Sequence, residues 1–252
     1  MKKKVFYSIF LFMVLSLFLA ASNAVAQSGT LKFYANGEEL ITEGFIAPKL
    51  TKDGWSLTFS HAFVVLSDIT AYQTDPPYDP HSDDKITALK KVSLDNTHVV
   101  DLAMDAKDDP PVLVGEVSNA PAGHYNAISW KMVRDESGLL QGHSMFLIGK
   151  AEKDGKTVDF RIRTDEEATY RCGEFVGDER KGFLTEGGVA DLEMTFHFDH
   201  IFGRADKAAD DPLNVEAVGF APFADSRKVH AIKLEGMHIG HAGEGHCAVE
   251  WH

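Results

Sequence analysis

The sequence predicts an all-β protein, an antiparallel β-sandwich with long loops and at most one or two short helices. Three observations carry that expectation. Short runs rich in Val, Ile, Phe, Tyr and Thr recur roughly every 8–15 residues. Gly- and Asp-containing turn signals separate them, and no long helical period appears beyond residue 26.

Taken in order, Lys2, Lys3 and Lys4 precede the apolar segment "VFYSIFLFMVLSLFLAA", and Ala24 and Ala26 stand where a signal peptidase reads small residues. A leader over residues 1–26 is therefore expected, cleaved before Gln27, with no cysteine at the junction for lipid attachment. That places the mature chain, 27–252, in the periplasm or outside the cell, without membrane insertion. Three lysines leave with the leader, so the net charge moves from −13 to three units lower, −16. Such acidity repels phosphate backbones and excludes nucleic acid as a partner; it suits solubility and attracts cations. The remaining length suits a single β domain.

"TLKFYA" reads as the first strand, and "GWSLTFSHAFVVLSDITAY" as a long second one. Alternation in the latter puts His61 with Leu57, Phe59 and Phe63 on the inward face, as a core histidine that must find hydrogen-bond partners, the alternative being a further inner ligand. Gln73 to Lys85 is a polar, Pro-rich surface loop, in which His81 is expected to be exposed and without a role. "HVVDLAM", "PVLVGEV" and "GHYNAISWKM" follow as strands, with His124 at the start of the last; His143 similarly precedes "SMFLIGKAE". "AEKDGKTVDF" is a hairpin, since Asp154-Gly155 can adopt the positive φ of a tight turn. Asp211 and Pro212 read as the N-cap and first residue of one short helix. The loop "GRADKAADDP" is acidic, but its spacing does not fit an EF-hand, and a solvated loop is expected.

Cys172 and Cys247 are the only cysteines. In an oxidising compartment a disulfide is the expected state, the alternative being two thiolate ligands.

The chemistry concentrates in two stretches. In "DLEMTFHFDHIFG", Leu192, Met194, Phe196 and Phe198 alternate toward a core, so His197 and Asp199 point together to the other face. His200 would face away from them unless the strand breaks near it. "MHIGHAGEGHC" supplies His238, His241 and His246, with Glu244 and three glycines among them. Neutral imidazole is the commonest ligand of zinc and copper, and carboxylates complete such shells. The expected site is thus His197, Asp199, His200, His238, His241 and His246 around one Zn or Cu ion, with a periplasmic or outer-membrane protein as a further partner. Two rivals stand beside it. A metal-dependent hydrolase, with Glu244 as general base, would show a cleft next to an incompletely coordinated ion. A metal-free scaffolding or adhesive module would leave the histidines dispersed.

"TFHFDHIFG" resembles the H-x-H-x-D-H signature of metallo-β-lactamase-type hydrolases, but Thr195 stands where its first histidine belongs, and the motif falls late in a β-rich chain. "DGWSLTFSHAFVVLSDI", "NAPAGHYNAISWKM", "GKAEKDGKTVDFRI" and "FHFDHIFG" resemble successive landmarks of a secreted β-sandwich group with an HxDHxF motif. That group is similar to the MbnP-like periplasmic copper-associated proteins. The resemblance implies an Ig-like sandwich and a metal-linked role; it implies no reaction.

Overall fold

The computed structural model describes residues 28–82, 85–104, 111–225 and 227–252, so the expected leader lies outside the described residues. The first half of the chain runs β1 (Ser28–Asn36), α1 (Glu38–Thr42), β2 (Ser56–Gln73), β3 (Lys90–Ser93), β4 (His98–Asp101), β5 (Val112–Pro121), β6 (Gly123–His124) and β7 (Ala127–Met132). β8 (Met145–Lys153), β9 (Lys156–Thr164), β10 (Ala168–Cys172), β11 (Phe183–Leu184) and β12 (Val189–Phe196) follow. The remainder holds α2 (Asp199–Phe202), α3 (Pro212–Glu216), a 3-10 turn (Ala221–Phe223), β13 (His230–Ala231), β14 (Gly240–Ala242) and β15 (Gly245–Trp251).

The protein is mostly β with few short helices, and its main sheet curls into a half-barrel. One group of strands is ordered β5-β1-β12-β14, the other β15-β10-β7-β2-β8-β9-β13, with β3 and β4 also on β2. The hairpin β14–β15 pairs within itself and joins the two groups into one continuous sheet, where two separate facing sheets were expected. Pairing is not wholly antiparallel either, since β1–β12 and β13–β9 run parallel. The buried apolar side chains form one cluster that draws on both groups, including Phe33, Phe45, Trp130, Tyr170, Phe196, Phe198 and Phe220.

Several local expectations hold. Lys153 pairs with Lys156 across a two-residue turn, in which Asp154 and Gly155 both have positive φ, 50° and 76°. The Asp211 carboxylate accepts the Leu213 N–H at the start of α3, with Pro212 as the first helical residue. Cys172 and Cys247 are disulfide-bonded, directly opposite each other in β10 and β15. Closing a loop of 75 residues limits the unfolded chain and stabilises the fold by about 4 kcal/mol in a chain-entropy account. Among the described residues no helix is long and apolar enough to cross a membrane.

Two expectations are corrected. A register shift between Phe59 and His61 flips the following residues of β2, so Ala62 and Val64 face the core while the His61 side chain is 48% exposed. The second concerns β12, whose non-core face was expected to be solvated. β12 lies between β1 and β14, and Glu193 and Thr195 are buried along with Leu192, Met194 and Phe196. That face is a polar inner layer: the Lys181 ammonium lies 3.4 Å from Glu193, and Asn36 donates to Glu193 at 2.9 Å.

Candidate metal centre

Strand register assembles the centre at the seam between the two groups of strands. Thr195, His241 and His246 are direct cross-strand partners on β12, β14 and β15, so their side chains stand in a row. β12 ends at Phe196, and the chain turns at once into α2. The break therefore comes at His197, ahead of the expected position at His200. Phe198 caps the turn from within the core, fully buried, and His197 and His200 are then three residues apart on a helical turn, where side chains lie on one side. The break aligns two imidazoles that an unbroken strand would have separated.

The hairpin β14–β15 turns on Gly243, at φ 61°, where a Cβ would run into the Val176 carbonyl oxygen. The Gly243 N–H donates to Thr195 Oγ1 at 2.9 Å, tying the turn to β12. On the opposite side, the disulfide beside His246 fixes β15 to β10.

Ring centroids are 4.0 Å apart for His197 and His241, 5.2 Å for His200 and His241, and 6.3 Å for His197 and His200. One ligand atom from each of the three lies within 4.8 Å of the others, as do single atoms from Glu38, His197 and Glu244. These groups could hold a metal ion. A tetrahedral Zn–N shell has edges of about 3.4 Å, so side-chain rotation alone closes the His197–His200–His241 set. His241 is 2% exposed, and its Nε2–H donates to the His238 carbonyl at 2.7 Å. That bond leaves Nδ1 with its lone pair and no partner, buried. His197 Nε2 is likewise buried without a hydrogen bond, 3.4 Å from Glu38 Oε1. Other buried side chains, Trp130 and Tyr170 among them, also lack a partner; what sets these two nitrogens apart is that they lie together in a cluster that could hold a metal ion.

Electrostatics divide the three imidazoles, favouring the neutral form in His200 and His241 and the protonated form in His197. Burial, then the neighbouring His197, pushes His241 down to about 3; burial followed by His197, His246 and His238 pushes His200 down to about 4. Both are neutral, with free lone pairs, at ordinary pH. Burial also acts against protonated His197, but Glu38, Asp199 and Glu244 outweigh it and hold that imidazole above its usual range. Glu38 is the residue that sequence reasoning missed. It has φ 55°, and its N–H is anchored by Asn36 Oδ1 at 2.7 Å, while Asn36 itself donates to buried Glu193. A non-glycine residue held at positive φ by a buried network is a strained, positioned side chain.

The six expected residues separate into layers. All line one cleft of about 650 Å³, together with Glu244, Lys207 and Glu216. His197, His200 and His241 converge at its floor. Asp199 lies beside them, its carboxyl pushed up by burial and its Oδ2 4.0 Å from Arg204, outside the convergent set. His238 and His246 are exposed at the mouth. His81 is exposed as expected, and it lines this mouth too. The remaining candidates lie elsewhere: His61 bonds Asp101, His124 stacks on Phe183, and His143 accepts from Arg163. No protein family, curated protein or solved structure gives a match to the chain.

Proposed function

We propose that this is an exported transition-metal-binding protein that captures or delivers Zn²⁺ or Cu²⁺ through His197, His200 and His241. The observation that carries the reading is the pair of orphaned buried nitrogens, His197 Nε2 and His241 Nδ1, in a three-imidazole cluster. Three nitrogen donors, with carboxylates nearby and both cysteines tied in a disulfide, suit borderline divalent ions over a soft Cu⁺ site. Glu38, whose Oε1 lies 3.4 Å from that same His197 Nε2, would add a carboxylate oxygen beside the ion. The resemblance of the sequence landmarks to a secreted β-sandwich group, itself similar to MbnP-like proteins, points the same way; on that view the curled sheet is an Ig-like sandwich closed along one side by β14–β15. Export would also supply the oxidising surroundings that the disulfide needs.

The cleft is the observation that favours a metal-dependent hydrolase, with Glu244 at its edge as general base. What speaks for binding is that its polar lining is mostly imidazole, with His238, His246 and His81 beside the inner three. The clustering of the histidines disfavours the scaffold. Elemental analysis of untagged protein purified from the periplasm tests the proposal. Roughly one zinc or copper per chain is expected, because such an ion adds its binding energy to folding and survives purification. Protein that stays metal-free after dialysis against either ion would contradict it.

A further inference from the structure

We infer that His238, His246 and His81 form a second, outer cation site at the mouth of the cleft, which takes up the ion and passes it to the inner histidines. This rests on the inner site proposed above and assigns the residues around it a different task. Burial separates the two layers. His241 is 2% exposed, while His238, His246 and His81 are all exposed, and the same cleft connects them. The rings form an unbroken series from solvent to floor. Centroids are 6.4 Å apart for His238 and His246, 4.6 Å for His246 and His241, and 5.2 Å for His241 and His200.

Two imidazoles that share one ion at Zn–N distances have centroids about 5–6 Å apart. The outer pair is near that spacing, and its exposed side chains are free to rotate into it. His200 and His246, at 6.3 Å, repeat the spacing one step further in. Each step thus offers the ion a new nitrogen before the last is released. Bare dehydration of a doubly charged ion on its way into a buried shell is avoided. Glu216 and Glu244 at the walls attract the cation, with Lys207 opposing them. An ion held at the mouth is at high effective concentration for the inner site, so the outer layer accelerates loading without adding to final affinity.

The experiment is zinc transfer from a chromogenic chelator to the untagged full-length exported protein, read at equilibrium and by stopped flow. Wild type should hold one tight and one weaker equivalent. His238→Ala/His246→Ala should lose the weaker equivalent and load roughly tenfold more slowly, with the tight affinity nearly unchanged, an effect on association alone. His81→Ala should slow loading less. His200→Ala should show the reverse pattern, losing the tight equivalent and keeping the weaker one. If the double variant loses the tight equivalent, these histidines are ligands of a single ion and the outer site does not exist. Unchanged loading in a double variant that keeps both equivalents overturns it equally. A wild type without a tight equivalent would instead remove the inner site, and this proposal with it.

Discussion

His61 and His241 sit on two strands of the same sheet, and their ring nitrogens meet opposite fates. His61 Nδ1 bonds Asp101 Oδ2 at 2.7 Å, while Asp101 Oδ1 accepts the N–H groups of Ala62 and Ala103 at 2.9 and 3.2 Å. Every polar atom of that pair has a partner or faces water, and no further donor converges on it among the described residues. His241 has one nitrogen fixed by the His238 carbonyl, and the other is buried, unpaired and surrounded by imidazoles. The first arrangement is complete within the chain. The second leaves a buried nitrogen open, in a cluster that could hold an ion. A histidine beside a carboxylate is thus no sign of a site by itself; an orphaned nitrogen in a cluster is.

The largest stability effect should come from the side chain that forms the turn. Phe198 is fully buried between His197 and His200, so Phe198→Ala should cost about 3–5 kcal/mol in denaturant melts and, on the proposed function, weaken metal binding as well. A cost below about 1 kcal/mol would mean that α2 is not anchored as described.

Two substitutions in metal-free protein separate the two environments. Asp101→Ala strands two backbone N–H groups and one imidazole, and should cost about 1–3 kcal/mol. His241→Leu removes one unpaired nitrogen and a single hydrogen bond to the His238 carbonyl, and should cost less. Equal or reversed costs by chemical denaturation would erase the distinction between the two environments.

A smaller effect is expected from pH in metal-free protein. His200 and His241, depressed to about 4 and about 3, bind protons more readily once unfolded, where the value is about 6.5. Their contribution is full above pH 6.5 and is lost as pH falls below it. His197, held above 6.5, acts in the opposite sense, and Asp199, raised by burial, offsets part of the loss at lower pH. The balance is a fall in melting temperature between pH 7 and 5, smaller in His241→Leu. A melting temperature that rises over that interval would contradict the assigned environments.

Much of this was legible in the sequence where the signal was local. The alternation of Leu192, Met194, Phe196 and Phe198 marked a core strand, and Asp154-Gly155 and Asp211-Pro212 marked a turn and a cap. The two histidine stretches were visible as groups that could hold an ion, and the two cysteines as a pair. What escaped depended on distant packing. The shift that turns His61 outward inserts one residue without disturbing the hydrophobic pattern around it. Burial of Glu193 and Thr195 follows from the place of β12 between β1 and β14, which no local period reveals. Glu38 reaches His197 from the far end of the chain, and its positive φ carries no signature in the residue type. His81 sits in a loop whose composition says only that it is exposed. The residues that converge, and the order of the layers they form, were set by register across the seam.

The central claim is that His241 is a ligand and His61 is not. Competitive titration of zinc or copper against a chromogenic chelator at pH 7.5 compares wild type, His241→Ala and His61→Ala directly. Removing one of three nitrogen ligands should weaken binding by about 100-fold or more, while His61→Ala should match wild type. Equal affinities in all three proteins, or a loss confined to His61→Ala, would contradict the account.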